Sequence, residues 1–280
     1  MKKLIALMLA MLMALSLVAC GGGSANSDPA NTDGENGGEA KKVLVLGTSA
    51  DYPPFEFMYP DESGEMVYGG IDVSVAQYIA DELGMELQVE NMSFDYLLPS
   101  LVKGDFDIVI AAMEADGERL NSADFSDPYY TDLPPAILVK AESADSYATL
   151  ADFSGKSMAA QTGTTKLDLV NEIEGVNAVP LQLVSDMVNE LVNGKVDAIM
   201  VDGAVAEQYA ASNPDLVIAA ASSELGEAAP YCVAVAKGDP QGLLDSINAA
   251  IAKMTQENKL ETFIADADAL ADVAVAVTAE

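Results

Sequence analysis

Short apolar runs alternate with stretches whose apolar positions recur at helical spacing. Val43-Leu44-Val45-Leu46 reads as a buried strand. Asp72 then stands where a helix N-cap is expected, with Val73, Ala76, Ala80 and Leu83 on one face and Gly84 as the stop. Glu86 to Val89 predicts a second strand. Leu97 to Lys103 predicts a helix with Pro99 in its first turn, and Gly104 ends it before the strand Ile108-Val109-Ile110. The plan then recurs. Leu101 to Ile110 (LVKGDFDIVI) and Leu191 to Met200 (LVNGKVDAIM) are each a helix end, a glycine, an aspartate and an apolar strand. Lys156 to Ala160 and Lys166 to Glu172 supply a strand and a helix ahead of the second copy. Strands alternating with helices in two similar units predict an α/β protein with two lobes and mostly parallel sheets. Val233 to Ala236 adds a late strand. Leu243, Leu244, Ile247, Ala250, Ile251 and Met254 mark the apolar face of a late helix whose partner chain order does not reveal.

The N-terminal end breaks this pattern and is kept apart from the fold. Lys2 and Lys3 precede the apolar run Leu4 to Val18, which is short for a membrane span. The run ends Leu17-Val18-Ala19-Cys20, a tetrapeptide that resembles a bacterial lipobox, so residues 1–19 are expected to be a lipoprotein signal peptide and Cys20 the lipidated first residue. Residues 20–40 are Gly, Ser, Asn, Asp and Glu with almost no bulky apolar side chain, the composition of a flexible tether.

Charge and composition narrow the function. The 280 residues carry a formal net charge of -32, which argues against nucleic acid and against polybasic attachment to anionic lipid. There is no histidine, which removes imidazole catalysis and histidine metal sites. Beyond Cys20 only Cys232 remains, in an apolar run, so neither a disulfide nor a metal cluster is expected and the thiol reads as buried. No cofactor is implied.

One loop stands out. Gly47-Thr-Ser-Ala-Asp-Tyr-Pro-Pro-Phe-Glu-Phe57 leaves a buried strand and at once presents Tyr52, Pro53, Pro54 and Phe55. Adjacent prolines stiffen such a loop, and its aromatics suit the wall of a binding cleft. Arg119, the single arginine of an acidic chain, has a planar fork suited to a carboxylate. Gln161 to Thr165 lies between a strand and a helix, where free N–H groups and hydroxyls favour an anion; the alternative is a threonine that only caps the helix. Asp202 ends the strand Ala198 to Val201, where a carboxylate can meet an ammonium or merely begin a turn.

Together with GGIDVSVAQYIADELG, SFDYLLPSLVKGDFDIVIAAM, Glu118-Arg119, DFSDPYY, GKSMAAQTGTT and GKVDAIMVD, these stretches resemble, in order, the solute-binding proteins of polar amino acid ABC importers, family 3 of the extracellular solute-binding proteins. The resemblance covers nearly all of residues 41–265. It implies a type II periplasmic-binding-protein-like fold, with residues 41–130 and 231–280 as lobe 1, 134–221 as lobe 2, and hinge crossovers near 131–133 and 222–230. It implies no catalysis. A free amino acid would be captured between the lobes and delivered to an ABC permease with its ATPase subunits, by a monomer lipid-anchored on the outer face of the cytoplasmic membrane of a Gram-positive bacterium. Carried over residue by residue, Arg119 and Thr165 would hold the ligand carboxylate, with Ala112, Gly163 and Thr164 beside them. Asp202 would hold the ammonium, and Tyr52 and Phe94 would sandwich the side chain, Phe94 having a core role as its rival reading. The sequence departs from the family at Ala112-Met113-Glu114, where a Thr or Ser is common. Glu114 has no hydroxyl to donate, and is expected to pair with Arg119 or to face the ligand's amino group. Ser49 replaces an acid of some cationic-ligand binders, whereas Asp51 and Glu114 keep a cationic ligand open. Other functions open on the same fold are a cyclohexadienyl-dehydratase-like enzyme and a ligand-sensing subunit of a signalling receptor.

Overall fold

The computed structural model of the chain describes residues 42–278, so the expected signal peptide, Cys20 and the tether lie outside the described residues. The strand β1 (Val43–Thr48) leads into an antiparallel set of β2 (Asp51–Tyr52), β3 (Glu56–Pro60) and β4 (Met66–Gly69). There follow α1 (Ile71–Leu83), β5 (Glu86–Asn91), α2 (Phe94–Lys103), β6 (Ile108–Val109), a single helical turn α3 (Arg119–Ser122) and β7 (Ala123–Phe125). A short strand β8 (Tyr130–Thr131) then leads to β9 (Ala136–Lys140), β10 (Ser157–Gln161), α4 (Thr165–Glu172), β11 (Asn177–Leu181), α5 (Val184–Val192), β12 (Ala198–Val201), α6 (Gly203–Ser212) and β13 (Leu216–Ile218). The chain returns through β14 (Pro230–Tyr231) to β15 (Ala234–Ala236), α7 (Leu244–Gln256) and α8 (Lys259–Thr278).

These strands build two five-stranded sheets of one plan, ordered β5-β1-β6-β15-β7 and β11-β10-β12-β9-β13. In each, the fourth strand opposes its neighbours and the others run one way. The opposed strands, β15 and β9, are those that follow a passage from one sheet to the other. The two passages pair with each other as β8 and β14. The sequence repeat has a structural counterpart. Asp107 accepts from the Val45 amide at 2.8 Å, and Asp197 accepts from the Ser157 amide at 2.9 Å. Each aspartate therefore ties its own strand to the start of the neighbouring parallel strand.

Helices cover both faces of each sheet. The late helix finds its partner in α1: α7 packs against it, burying Ile247, Ile251 and Met254 in one cluster with Val75 and Ile79. Leu97, Leu101 and Phe106 cover the other face of the first sheet. The long helix α8 lies against α1, α7 and β3, and also against α6 of the other lobe. Cys232 is buried, and burial pushes its thiol up to about 11.

Two local expectations are corrected. Asp72 is not the N-cap. The helix α1 begins at Ile71, after Gly70, and its first amides donate to the carbonyls of Pro54 and Phe55 at 3.1 and 2.9 Å. These carbonyls satisfy the donors that a cap would serve. Gly70 permits this approach, because it has φ 117° and a Cβ there would lie 2.1 Å from the Phe55 oxygen. The helix α2 begins at Phe94 rather than Leu97, so Pro99 is inside it and not in the first turn. An interior proline costs about 3 kcal/mol, offset by the full burial of Leu97 and Leu101 on either side.

Candidate functional site

The carboxyl ends of β1, β6, β10 and β12 face one cleft, where open α/β sheets place their sites. From the first lobe come Tyr52, Glu56, Phe94, Ala111, Ala112, Glu114 and Arg119; from the second come Gln161, Thr164, Thr165, Lys166 and Asp202. All the sequence-predicted residues except Gly163 are thereby brought together around one small cavity of about 20 Å³, room for roughly one water. A larger hollow of about 470 Å³ lies away from this cleft, between Leu150, Leu169 and Ile173 of the second lobe and Leu225 of the crossover that follows it.

Tyr52 crosses the cleft. Its hydroxyl donates to Asp202 Oδ2 at 2.7 Å and accepts from the Asp202 amide at 3.0 Å. Asp202 stands at the N-cap position of α6, but its side chain does not cap that helix. It faces the cleft and forms an ion pair with Lys166.

Arg119 opens α3. Nη1 donates to the Glu114 carbonyl at 3.0 Å, and Nη2 donates across the cleft to the Gly163 carbonyl at 3.1 Å. Nε faces Asp116 at 3.6 Å, and the guanidinium lies 5.3 Å from the centre of the Phe94 ring. A cation over an aromatic face is attracted by the ring's quadrupole, so Phe94 supports Arg119 as well as lining the cavity. Gly163 has φ 80°, and a Cβ there would lie 3.1 Å from Asp95 Cβ on the opposite lobe. Glycine serves both the left-handed turn and the close approach.

The two threonines divide their tasks. Thr164 caps α4, accepting from the Leu167 amide at 3.3 Å and donating to the Gln161 carbonyl at 2.7 Å. Thr165 turns outward, and its hydroxyl donates to Glu114 Oε2 at 2.6 Å. Glu114 Oε1 accepts from Lys166 Nζ at 2.9 Å. The expected pairing of Glu114 with Arg119 is thus made by its backbone carbonyl, while its carboxylate reaches the other lobe. Ala112 holds a left-handed φ of 46°, and its amide donates to Asp72 Oδ2 at 2.6 Å. Such a conformation is uncommon for a residue with a Cβ and belongs to over-determined sites.

Glu56, Ala111 and Lys166 line the cavity without having been expected there, and Lys166 is the consequential one. It is 4 % exposed and lies between the carboxylates of Glu114 and Asp202. A signal was present, since a lysine in the first turn of a helix opposes the macrodipole and needs a partner elsewhere. Burial would lower its pKa, but Asp202 and Glu114 outweigh burial and raise it. Burial would likewise raise Glu114, yet the Lys166 ammonium and the Thr165 hydroxyl hold that carboxyl below its ordinary value.

Further acids lie buried close to the cleft residues Glu56 and Asp202. Asp51 Oδ2 accepts from the Val184 amide at 2.7 Å, so a first-lobe carboxylate caps α5 of the second lobe. Burial nevertheless pushes Asp51 up to about 6. Ser49, buried beside it, donates to Asp51 Oδ1 at 3.2 Å. Burial also pushes Asp72 and Asp132 up to about 6. Glu56 is raised well above its ordinary value, first by burial and then by the Asp72 carboxylate, and its Oε2 has no hydrogen-bond partner among the described residues. The arrangement therefore offers separated positive and negative groups, aromatic walls and a reserve of acid.

The similarity to known proteins follows the same residues. Residues 44–266 match the family described as bacterial extracellular solute-binding proteins, family 3. The arginine-binding extracellular protein ArtP of Bacillus subtilis is 31% identical over 264 residues, covering 93% of this chain and 96% of the relative. A probable histidine-binding protein of Campylobacter jejuni is 29% identical over 94% of this chain and 98% of its own length. The crystal structure of the amino acid ABC transporter substrate-binding protein AbpA of Streptococcus pneumoniae, bound to L-arginine, superposes with a TM-score of 0.77 at 31% identity. It covers 82% of this chain and 96% of that one. With the family match spanning the fold and the cleft, this chain belongs to the bacterial extracellular solute-binding proteins of family 3.

Proposed function

We propose that the chain captures a free amino acid between its lobes, L-arginine being the ligand to test first, and delivers it to an ABC permease driven by ATPase subunits. The observation that carries this reading is the convergence of Arg119, Thr165, Asp202, Tyr52 and Phe94 on one cleft between two lobes. A zwitterion taken from water needs a distinct partner for each charge. Arg119 and Thr165 serve the carboxylate, with Ala112, Gly163 and Thr164 shaping that wall. Asp202 serves the ammonium, and Tyr52 and Phe94 hold the side chain. Relatives named for arginine favour a cationic ligand, and Asp51 and Asp132 supply nearby acid. The relatives are named as binding proteins of transport systems, which favours capture over catalysis. A lipid at Cys20 would hold a monomer on the outer face of the cytoplasmic membrane, in a Gram-positive setting.

Thermal-shift measurements against the amino acids test this reading, since a ligand that binds only the folded state raises the melting temperature. L-arginine is expected to give the largest rise. No rise with any amino acid, confirmed by calorimetry, would remove the reading.

A further inference from the structure

The head-group end of the cleft is already paired. Thr165, the hydroxyl proposed for a ligand carboxylate, donates to the Glu114 carboxylate at 2.6 Å. Asp202, the acid proposed for a ligand ammonium, is ion-paired with the Lys166 ammonium. The two surrogates touch each other at 2.9 Å, a carboxylate joined to an ammonium within one small space. Both are almost wholly buried, at 6 % and 4 % exposure. The cavity beside them holds about 20 Å³, which an amino acid head group exceeds.

We propose that Glu114 and Lys166 form a tethered internal zwitterion that occupies the head-group subsite and must be displaced before a free amino acid can bind. The proposal rests on the amino acid reading given above. Glu114 belongs to the first lobe and Lys166 to the second, so the pair also draws the lobes together. Opening separates Glu114 from Thr165 and Lys166, whereas Lys166 keeps Asp202, which lies on its own lobe. A ligand then competes with Glu114 for Thr165 and with Lys166 for Asp202. Its apparent affinity is reduced by the fraction of molecules in which the surrogates have withdrawn. The two residues therefore set the affinity threshold through occupancy, by the same factor for every amino acid that needs the head-group subsite.

The test compares the parent protein with the double variant E114S/K166Q, which removes both charges at once and leaves no buried ion unpaired within the surrogate itself. Unchanged cooperativity in thermal unfolding checks that the variant folds. Calorimetry with L-arginine is expected to show the double variant binding at least about ten-fold more tightly. Equal or weaker binding overturns the proposal, weaker binding meaning that the two side chains hold the ligand instead of excluding it. If neither protein binds arginine, small-angle scattering without ligand decides. A larger radius of gyration in the double variant keeps the internal zwitterion and removes L-arginine as the ligand, and an equal radius overturns the internal zwitterion.

Discussion

The phenol of Tyr52 and the carboxylate of Asp202 meet at 2.7 Å, although 150 residues separate them in the chain. They stand on different lobes, so the bond exists only while the cleft is closed. The Asp202 amide returns a second bond to the same phenol oxygen. This relationship makes the closed arrangement measurable through one side chain.

Tyr52→Phe keeps the ring and deletes both bonds. A hydrogen bond to a charged group contributes about 1.5–3 kcal/mol. The variant is expected to lose stability of that order in urea denaturation, and to show a larger radius of gyration at rest. Unchanged stability and radius would mean that the bond contributes nothing to closure.

Arg119→Lys and Asp202→Asn probe the two ends of the proposed zwitterion site. A lysine cannot reproduce the fork that reaches the Glu114 and Gly163 carbonyls together. Loss of a buried charged pairing is expected to cost about 2–5 kcal/mol in ligand affinity. Titration calorimetry with L-arginine measures it, and unchanged affinity in both variants would place the site elsewhere.

Stability should fall as pH rises out of the acidic range. Asp51, Asp72 and Asp132 are pushed up to about 6 by burial, and Glu56 is raised well above its ordinary value by burial and the Asp72 carboxylate. An acid with a raised folded pKa binds more protons folded than unfolded, so its protonation favours the native state. That contribution is fully present below its ordinary pKa and is lost progressively as pH rises from there through the folded value. Glu114 acts in the opposite sense, since its lowered pKa stabilises the fold at higher pH and the benefit is lost only as pH falls through that lowered value. Calorimetric melting should therefore occur at a higher temperature at about pH 5 than at about pH 7.5. A flat profile across that window would show that these acids are not held as buried as the structure has them.

Cys20 should be the first residue of the mature protein and carry lipid, given Lys2-Lys3, the apolar run and Leu17-Val18-Ala19-Cys20. Mass spectrometry of the native N-terminus reads this directly. An unmodified chain starting beyond Cys20 would contradict it.

Much of the architecture was legible because its causes are local. Gly84 and Gly104 end their helices in the left-handed conformation, as their positions after apolar periodic segments indicate. The two aspartates of the repeat, Asp107 and Asp197, mark equivalent strand ties because the same helix–glycine–strand unit was built twice. Of the residues expected at the cleft, Tyr52, Phe94, Ala112, Glu114, Arg119, Thr164, Thr165 and Asp202 line one cavity, and Gly163 meets it only through the bond its carbonyl accepts from Arg119.

What chain order left undecided depends on groups that are distant in sequence. Asp72 looks like a helix cap, yet the helix amides find carbonyls of Pro54 and Phe55, and the carboxylate is free to receive the Ala112 amide and the Tyr129 hydroxyl. The position of β15 between β6 and β7 follows from the return passage through β14, not from any property of Ala234 to Ala236. Lys166 is an unremarked helical lysine in the sequence. Only the approach of Glu114 from the other lobe, with Asp202 beside it, turns it into a buried cation. Periodicity and glycine stops report the energetics of one segment with water and with itself, so the sequence alone determined the segments. Which charges lose water together is a property of the assembled lobes, and the tertiary structure alone decided it.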